Sequence, residues 1–142
     1  MEPRQWGPHF WKVIDAVALS YPEKPDIQDQ NNVSTFIVSL KNVLPCEKCQ
    51  NHFTENLKKF PISQALNSRN NFIKWVIDVH NSVNKSNGKA TLSYAQGLIE
   101  MKKGLYNGDN GDMKYNIMMT MVVGIGAFYV FRKTKFFKNL LK

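Results

Sequence analysis

"LPCEKCQNHF", Leu44–Phe53, holds both cysteines of this chain, two residues apart, with His52 three positions further on. Pro45 ends the helical pattern before it, so the next helix starts at or beside Cys46. Three readings of the pair compete: a redox-active disulfide, half of a zinc site, or two buried inert thiols. Zinc would need two more ligands. His52 and His80 are candidates, but no second ligand pair exists, and Asn81 stands beside His80 where a partner would be. The inert reading leaves unexplained why two thiols should sit on adjacent turns behind a proline. The redox reading has a physical cause. Two-residue spacing across a helix start brings the sulfurs within bonding distance while Cys46 stays accessible. The free first-turn amides and the helix dipole favour a thiolate there. Lys48 adds to that field and Glu47 opposes it.

The pattern around this stretch is helical, with almost no strand alternation, so a thioredoxin-like βαβ context is missing. A first helix is predicted from about Pro8 to Ser20, with Phe10, Val13, Ile14, Val17 and Tyr21 facing inward. The two prolines of "YPEKPD" break it. A second runs from about Gln28 to Val43, with Val33, Phe36, Ile37 and Leu40 on one stripe. The cysteine helix carries Phe53, Leu57 and Phe60 and stops at Pro61. "NSRN" can cap a fourth from about Asn70 to Asn84, with Ile73, Val76, Ile77, His80 and Asn84 along one face. After the loop "NKSNGKA" a short fifth aligns Tyr94, Leu98, Met101 and Leu105. The fold class is therefore all-α: a four-helix bundle plus a short fifth helix over residues 1–106.

Beyond "NGDNGD" (linker, 107–114) lies "YNIMMTMVVGIGAFYVF", Tyr115–Phe131, with 17 residues and no charge. A bilayer core about 30 Å thick is crossed by about 20 mostly apolar helical residues. This run, flanked by tyrosines and followed by the basic tail 132–142, reads as a single C-terminal transmembrane helix. The net charge is +8, but residues 1–110 hold 13 Lys and Arg against 10 Asp and Glu, while the last eleven residues hold five bases and no acid. Charge concentrated behind an apolar run argues against a nucleic-acid-binding face. "MEPRQWGPHF" at the N-terminus has no apolar core of signal-peptide length.

Polar residues close the fourth helix: "WVIDVHNSVN" sets Trp75, His80, Asn81 and Asn84 at the end of an apolar stripe. Together with Trp6 and Trp11 of "WGPHFW" they suggest a slot for a flat aromatic ligand with polar edges. Taken in order, "WGPHFW", "LPCEKCQNHF", "HNSVN" and "GKATLSY" resemble the motifs of the Erv/ALR flavin-linked sulfhydryl oxidases, over about residues 1–97.

That resemblance implies an all-α bundle holding FAD with no glycine-rich phosphate loop. It implies a catalytic disulfide of Cys46 and Cys49, with Cys49 nearer the flavin and Cys46 exchanging with substrate. Gly7, Trp11, His52, His80, Asn81, Asn84 and Lys89 match cofactor-binding positions, Lys89 as a phosphate contact; no metal is implied. The chain departs from the family at Asp15, where a histidine is frequent, and it lacks the additional shuttle cysteines of cellular members. In this it is similar to members encoded by large cytoplasmic DNA viruses. The implied activity oxidises thiols of a partner, expected to be a separate Cys-x-x-Cys redox protein, and passes electrons through FAD to O2, giving H2O2. A homodimer is expected, as is a catalytic domain facing the cytoplasm on a host or virion membrane. The alternative is a zinc-stabilised, membrane-tethered helical adaptor without catalysis.

Overall fold

The computed structural model describes residues 1–106, and the expected linker, transmembrane helix and basic tail lie outside them. Five α-helices follow one another: α1 (Pro3–Ser20), α2 (Ile27–Val43), α3 (Glu47–Lys59), α4 (Arg69–Ser86) and α5 (Tyr94–Tyr106). A short 3-10 turn, Ile62–Gln64, links α3 to α4. No strand occurs among the described residues, and none of their helices is long and apolar enough to cross a membrane.

Each helix start has a local cause. Asp26 caps α2 in a reciprocal box with Asp29: the Asp29 amide donates to Asp26 Oδ1 at 2.8 Å and the Asp26 amide donates to Asp29 Oδ2 at 3.0 Å. Ser68 caps α4 by accepting from the Asn71 amide. Helix α1 starts five residues earlier than its pattern predicts. Pro3 suits the first turn, where no intrahelical amide bond is required. Pro8 lies inside the helix and deprives it of one backbone bond. The added turn is held by packing instead: Trp6 meets Phe10 edge-on at 5.2 Å, and both rest on the core.

Helix α4 is the centre of the bundle. Phe72, Trp75, Val76, Ile77 and Val79 are all buried, more than a narrow stripe of a helix can supply, and both α1 and α3 pack against it. Two joints fix its first half. Tyr21, just past α1, donates its hydroxyl to the Leu66 carbonyl at 2.8 Å, while Arg69 Nε donates to the Tyr21 carbonyl and its guanidinium pairs with Glu23. Trp75 Nε1 donates to the Phe60 carbonyl at 2.8 Å, tying α4 to the end of α3. Trp75 is thus a structural joint, and it is not among the residues that line the cavity where α1, α4 and α5 meet.

One inward assignment fails. Val13 is 53% exposed. With α1 packed on α4, the inner face runs through Ile14, Asp15 and Ala18, so Val13 falls on the outer side.

Helix α5 approaches α4 closely at Gly97. A β-carbon there would lie 2.8 Å from Ile77 Cγ1 and 2.9 Å from its Cδ1. Ile77 is itself buried, so it has little room to yield. Glycine costs a helix interior about 1 kcal/mol relative to alanine, so contact accounts for it here. Gly97→Ala should therefore lower the melting temperature despite its better helix propensity, by a net loss of about 1–2 kcal/mol; an unchanged or raised value in thermal unfolding would contradict this packing.

Candidate redox site

The cysteines occupy the start of α3. Cys46 is the N-cap residue, with extended backbone, and its Sγ accepts the Cys49 amide at 3.2 Å. The two are disulfide-bonded, with Cα atoms 5.1 Å apart. Gln50, one residue on, reaches back so that its Nε2 donates to the carbonyls of Leu44 at 2.9 Å and Asn42 at 3.3 Å. This bond crosses the Pro45 turn and fixes the end of α2 against the first turn of α3. Both cysteines are half-buried, but Cys49 packs against the core cluster and Cys46 is not among the residues that do. The sulfurs therefore have an inner and an outer member.

A second feature lies where α1, α4 and α5 meet. A cavity of about 100 Å³ is lined by Asp15 from α1, Val76, Ile77, His80, Asn81 and Asn84 from α4, Leu92 before α5, and Gly97, Glu100 and Met101 from α5. Trp11, one turn before Asp15, lies flat on the His80 imidazole, with ring centroids 4.0 Å apart and planes 1° from parallel. Burial holds the His80 pKa below its ordinary value, and the charge of Lys89 lowers it further. His80 is therefore neutral at pH 7.

Asn81 has its amide committed within the chain. Its Nδ2 donates to the Leu92 carbonyl at 2.8 Å and its Oδ1 accepts the Leu92 amide at 2.9 Å. This two-point bond anchors the segment leading into α5, and so sets the third wall of the cavity. Asn84 caps the turn below: its carbonyl accepts the Lys89 amide at 2.8 Å, just past Gly88. Gly88 adopts φ +68°, a left-handed conformation that terminates the helix without a β-carbon clash. The Asn84 side chain makes no hydrogen bond among the described residues.

Of the residues singled out in the sequence, His80, Asn81 and Asn84 share this cavity, and Trp11 stacks at its edge. Lys89 is exposed and close enough to act on His80. Gly7 sits on α1 facing open space, with nothing within 4 Å of where a side chain would begin. His52 is exposed on α3 and does not line the cavity. No three His, Cys, Asp or Glu side chains converge as a metal site among the described residues.

Sequence reasoning did not place Leu92, Gly97, Glu100 or Met101 here, and it marked Asp15 only as standing where the family often has a histidine. Asp15 is the most consequential. It is 7% exposed, and its Oδ1 has no hydrogen-bond partner. Burial raises its pKa from 3.8 to about 6. The available signal was a lone charge beside Ile14 and one turn from Trp11 and Ala18, on an otherwise inward face.

A sequence profile described as the Erv1/Alr family matches residues 8–103. The chain is 42% identical over 106 residues to a protein of Acanthamoeba polyphaga mimivirus named "Probable FAD-linked sulfhydryl oxidase", covering 74% of each. It is 39% identical over 83 residues to FAD-linked sulfhydryl oxidase ERV1 of Arabidopsis thaliana, spanning 58% of this chain and 42% of the plant protein. The fold matches the crystal structure of the FAD-binding domain of Erv1 from Saccharomyces cerevisiae with a TM-score of 0.67 at 26% identity, over 73% of this chain and 97% of that one.

The buried Asp15 makes stability depend on pH in a defined direction. Its folded pKa exceeds its ordinary value, so the folded state binds the proton more tightly, and the resulting stability is present below about pH 4 and lost as pH rises through about 6. Asp15→Asn should raise the melting temperature of the ligand-free protein at neutral pH, by on the order of 1–2 kcal/mol after allowance for partial solvent screening. The gain should vanish in acid. A gain that persists unchanged below the ordinary carboxylate pKa would rule out a buried charge as the cause. The lowered pKa of His80 acts on stability with the opposite sign, and comparison of the variant with the parent chain cancels its contribution.

Proposed function

This chain belongs to the Erv1/Alr family, and from that premise we propose that it is a FAD-linked thiol oxidase whose working disulfide is Cys46–Cys49. The observation that carries this reading is the disulfide at the N-terminus of α3, with one sulfur against the core and the other outside it. The residues of the cavity fit such a cofactor. Val76, Ile77 and Met101 offer apolar surface to a ring, with Trp11 stacked on His80 at the edge; Asn84 and His80 offer polar edges, and Asp15 carries an unpartnered acceptor. The enclosed volume has room for part of a dinucleotide, and Lys89 provides an exposed cation nearby for a phosphate.

The protein's own chemistry is thiol exchange. A substrate thiolate attacks Cys46 Sγ, the outer sulfur, and the Cys46–Cys49 bond breaks to leave a mixed disulfide and a Cys49 thiolate. The first-turn amides and the positive end of α3 stabilise that thiolate. A second substrate thiolate then attacks the substrate sulfur of the mixed disulfide. The substrate leaves oxidised, and Cys46 and Cys49 are left reduced. Restoring their bond releases two electrons and two protons. Bound FAD would supply the acceptor for that pair and the route onward to O2, yielding H2O2. Gln50 keeps the Pro45 turn fixed throughout, so the two sulfurs return to the same geometry.

We further propose a protein substrate, a separate redox protein with its own Cys-x-x-Cys pair, because this sequence contains no other cysteines to shuttle electrons. The uncharged run 115–131 would anchor the enzyme as a single-pass protein with residues 1–106 toward the cytoplasm, and two copies would pair as a homodimer. The anchor is supported if the full chain resists alkaline extraction from membranes while residues 1–106 alone are released; equal release would remove it. For the redox roles, Cys49→Ser should abolish oxygen consumption with a small dithiol while the yellow cofactor stays bound. Full turnover in an oxygen-electrode assay would overturn the assignment of Cys49.

A further inference from the structure

Asp15 is the one buried side chain among the described residues with an unsatisfied polar atom. A carboxylate that is taken out of water and given no donor destabilises the fold. Nothing in the surrounding wall relieves it. On α4, His80 is neutral and stacked on Trp11, and the Asn81 amide is committed to Leu92. On α5, Glu100 is the other titratable group lining the cavity; it pairs with Lys103 at 2.9 Å and adds no positive charge. Lys89, beyond the end of α4, acts on His80, and Asp15 feels burial alone. The residues facing Asp15 from every packed element are therefore apolar, neutral or acidic. Asn84, also on α4, lines the cavity with a side chain that makes no hydrogen bond, and it does not donate to Oδ1 either, so Oδ1 is left open to a donor from what fills the cavity.

We propose that the Asp15 carboxylate is an anchoring acceptor of the cofactor site, taking a hydrogen bond from an N–H or O–H of bound FAD and thereby making cofactor uptake expel a proton. This rests on the reading of FAD as the cofactor. FAD offers donors of the required kind: the ring imide, the adenine amino group, and the ribityl and ribose hydroxyls. An ionised acceptor bonded to a donor is stabilised relative to its protonated form, so the bound state holds Asp15 ionised. In the free protein burial keeps it half-protonated at about pH 6. Binding in mild acid must therefore release the proton, and affinity must rise with pH until Asp15 is already ionised in the free state.

The test uses the full chain stripped of cofactor and titrated with FAD, followed by fluorescence quenching and by calorimetry in two buffers of different ionisation enthalpy. Affinity should weaken by about tenfold from neutral pH to one unit below the Asp15 midpoint, with net proton release that is largest in acid and near zero at neutrality. Asp15→Asn keeps an acceptor oxygen but has no proton to lose. It should flatten the pH profile and abolish most of the proton release, leaving only a His80 contribution. The calorimetry on the parent chain needs no variant, so a folding defect in Asp15→Asn would not block the test. A parent chain that binds FAD with no pH dependence sinks the proposal, as does a variant that retains the parent's profile, which would leave water as the partner of Asp15. Absence of FAD binding at any pH sinks the cofactor reading itself, and this proposal with it.

Discussion

Helix α3 begins where Pro45 releases the chain, and the residue that caps its first turn is a cysteine. The chemistry depends on this constraint. An N-cap side chain lies beside the amides of the turn that follows, and Cys46 Sγ meets the Cys49 amide there. A cysteine three positions later in the same first turn is then within reach of a disulfide. The amide that meets Cys46 Sγ belongs to the positive end of α3, whose field favours a thiolate in this turn. A helix starting one residue earlier or later would lose the cap and turn one sulfur away. Gln50, by bonding to the last carbonyls of α2, holds that start in place.

The second half of the site depends on α4. Because both α1 and α3 pack against this helix, its polar end cannot reach bulk water freely and has to find partners in its neighbours. Trp11 from α1 covers His80, and Asn81 fastens the segment before α5. Gly97 lets α5 close against Ile77. Three elements distant in sequence therefore enclose one space, and the "HNSVN" residues serve two different ends: Asn81 builds the wall, while His80 and Asn84 leave polar edges exposed to what the wall encloses.

Much of this was legible from residues 1–106. Apolar spacing located all five helices, and Pro45, Pro61 and "NSRN" marked boundaries within a residue or two because they act locally. Pro8 misled because proline inside a helix is costly, yet Trp6 and Phe10 recover enough packing to extend α1 past it. Val13 misled because periodicity shows that a helix has an apolar side without fixing its rotation, which contact with α4 decides. His80, Asn81 and Asn84 were singled out by their place at the end of an apolar stripe together with the resemblance of "HNSVN" to the family motif, and the fold sets them around one cavity. The α5 wall was not, since its members come together through one helix–helix approach, and its clearest trace in the sequence is a single helical glycine. Asp15 was visible only as a departure from a pattern; its burial and lack of a partner exist only in three dimensions.

The central claim, that a disulfide at the start of α3 works in electronic contact with a flavin, is tested most directly by following the visible spectrum of the purified chain. The account predicts a yellow protein whose flavin absorption bleaches when a dithiol is added without air and returns when air is admitted. A well-folded protein that stays colourless when supplied with FAD, or one whose bound flavin does not respond to dithiol, would contradict it.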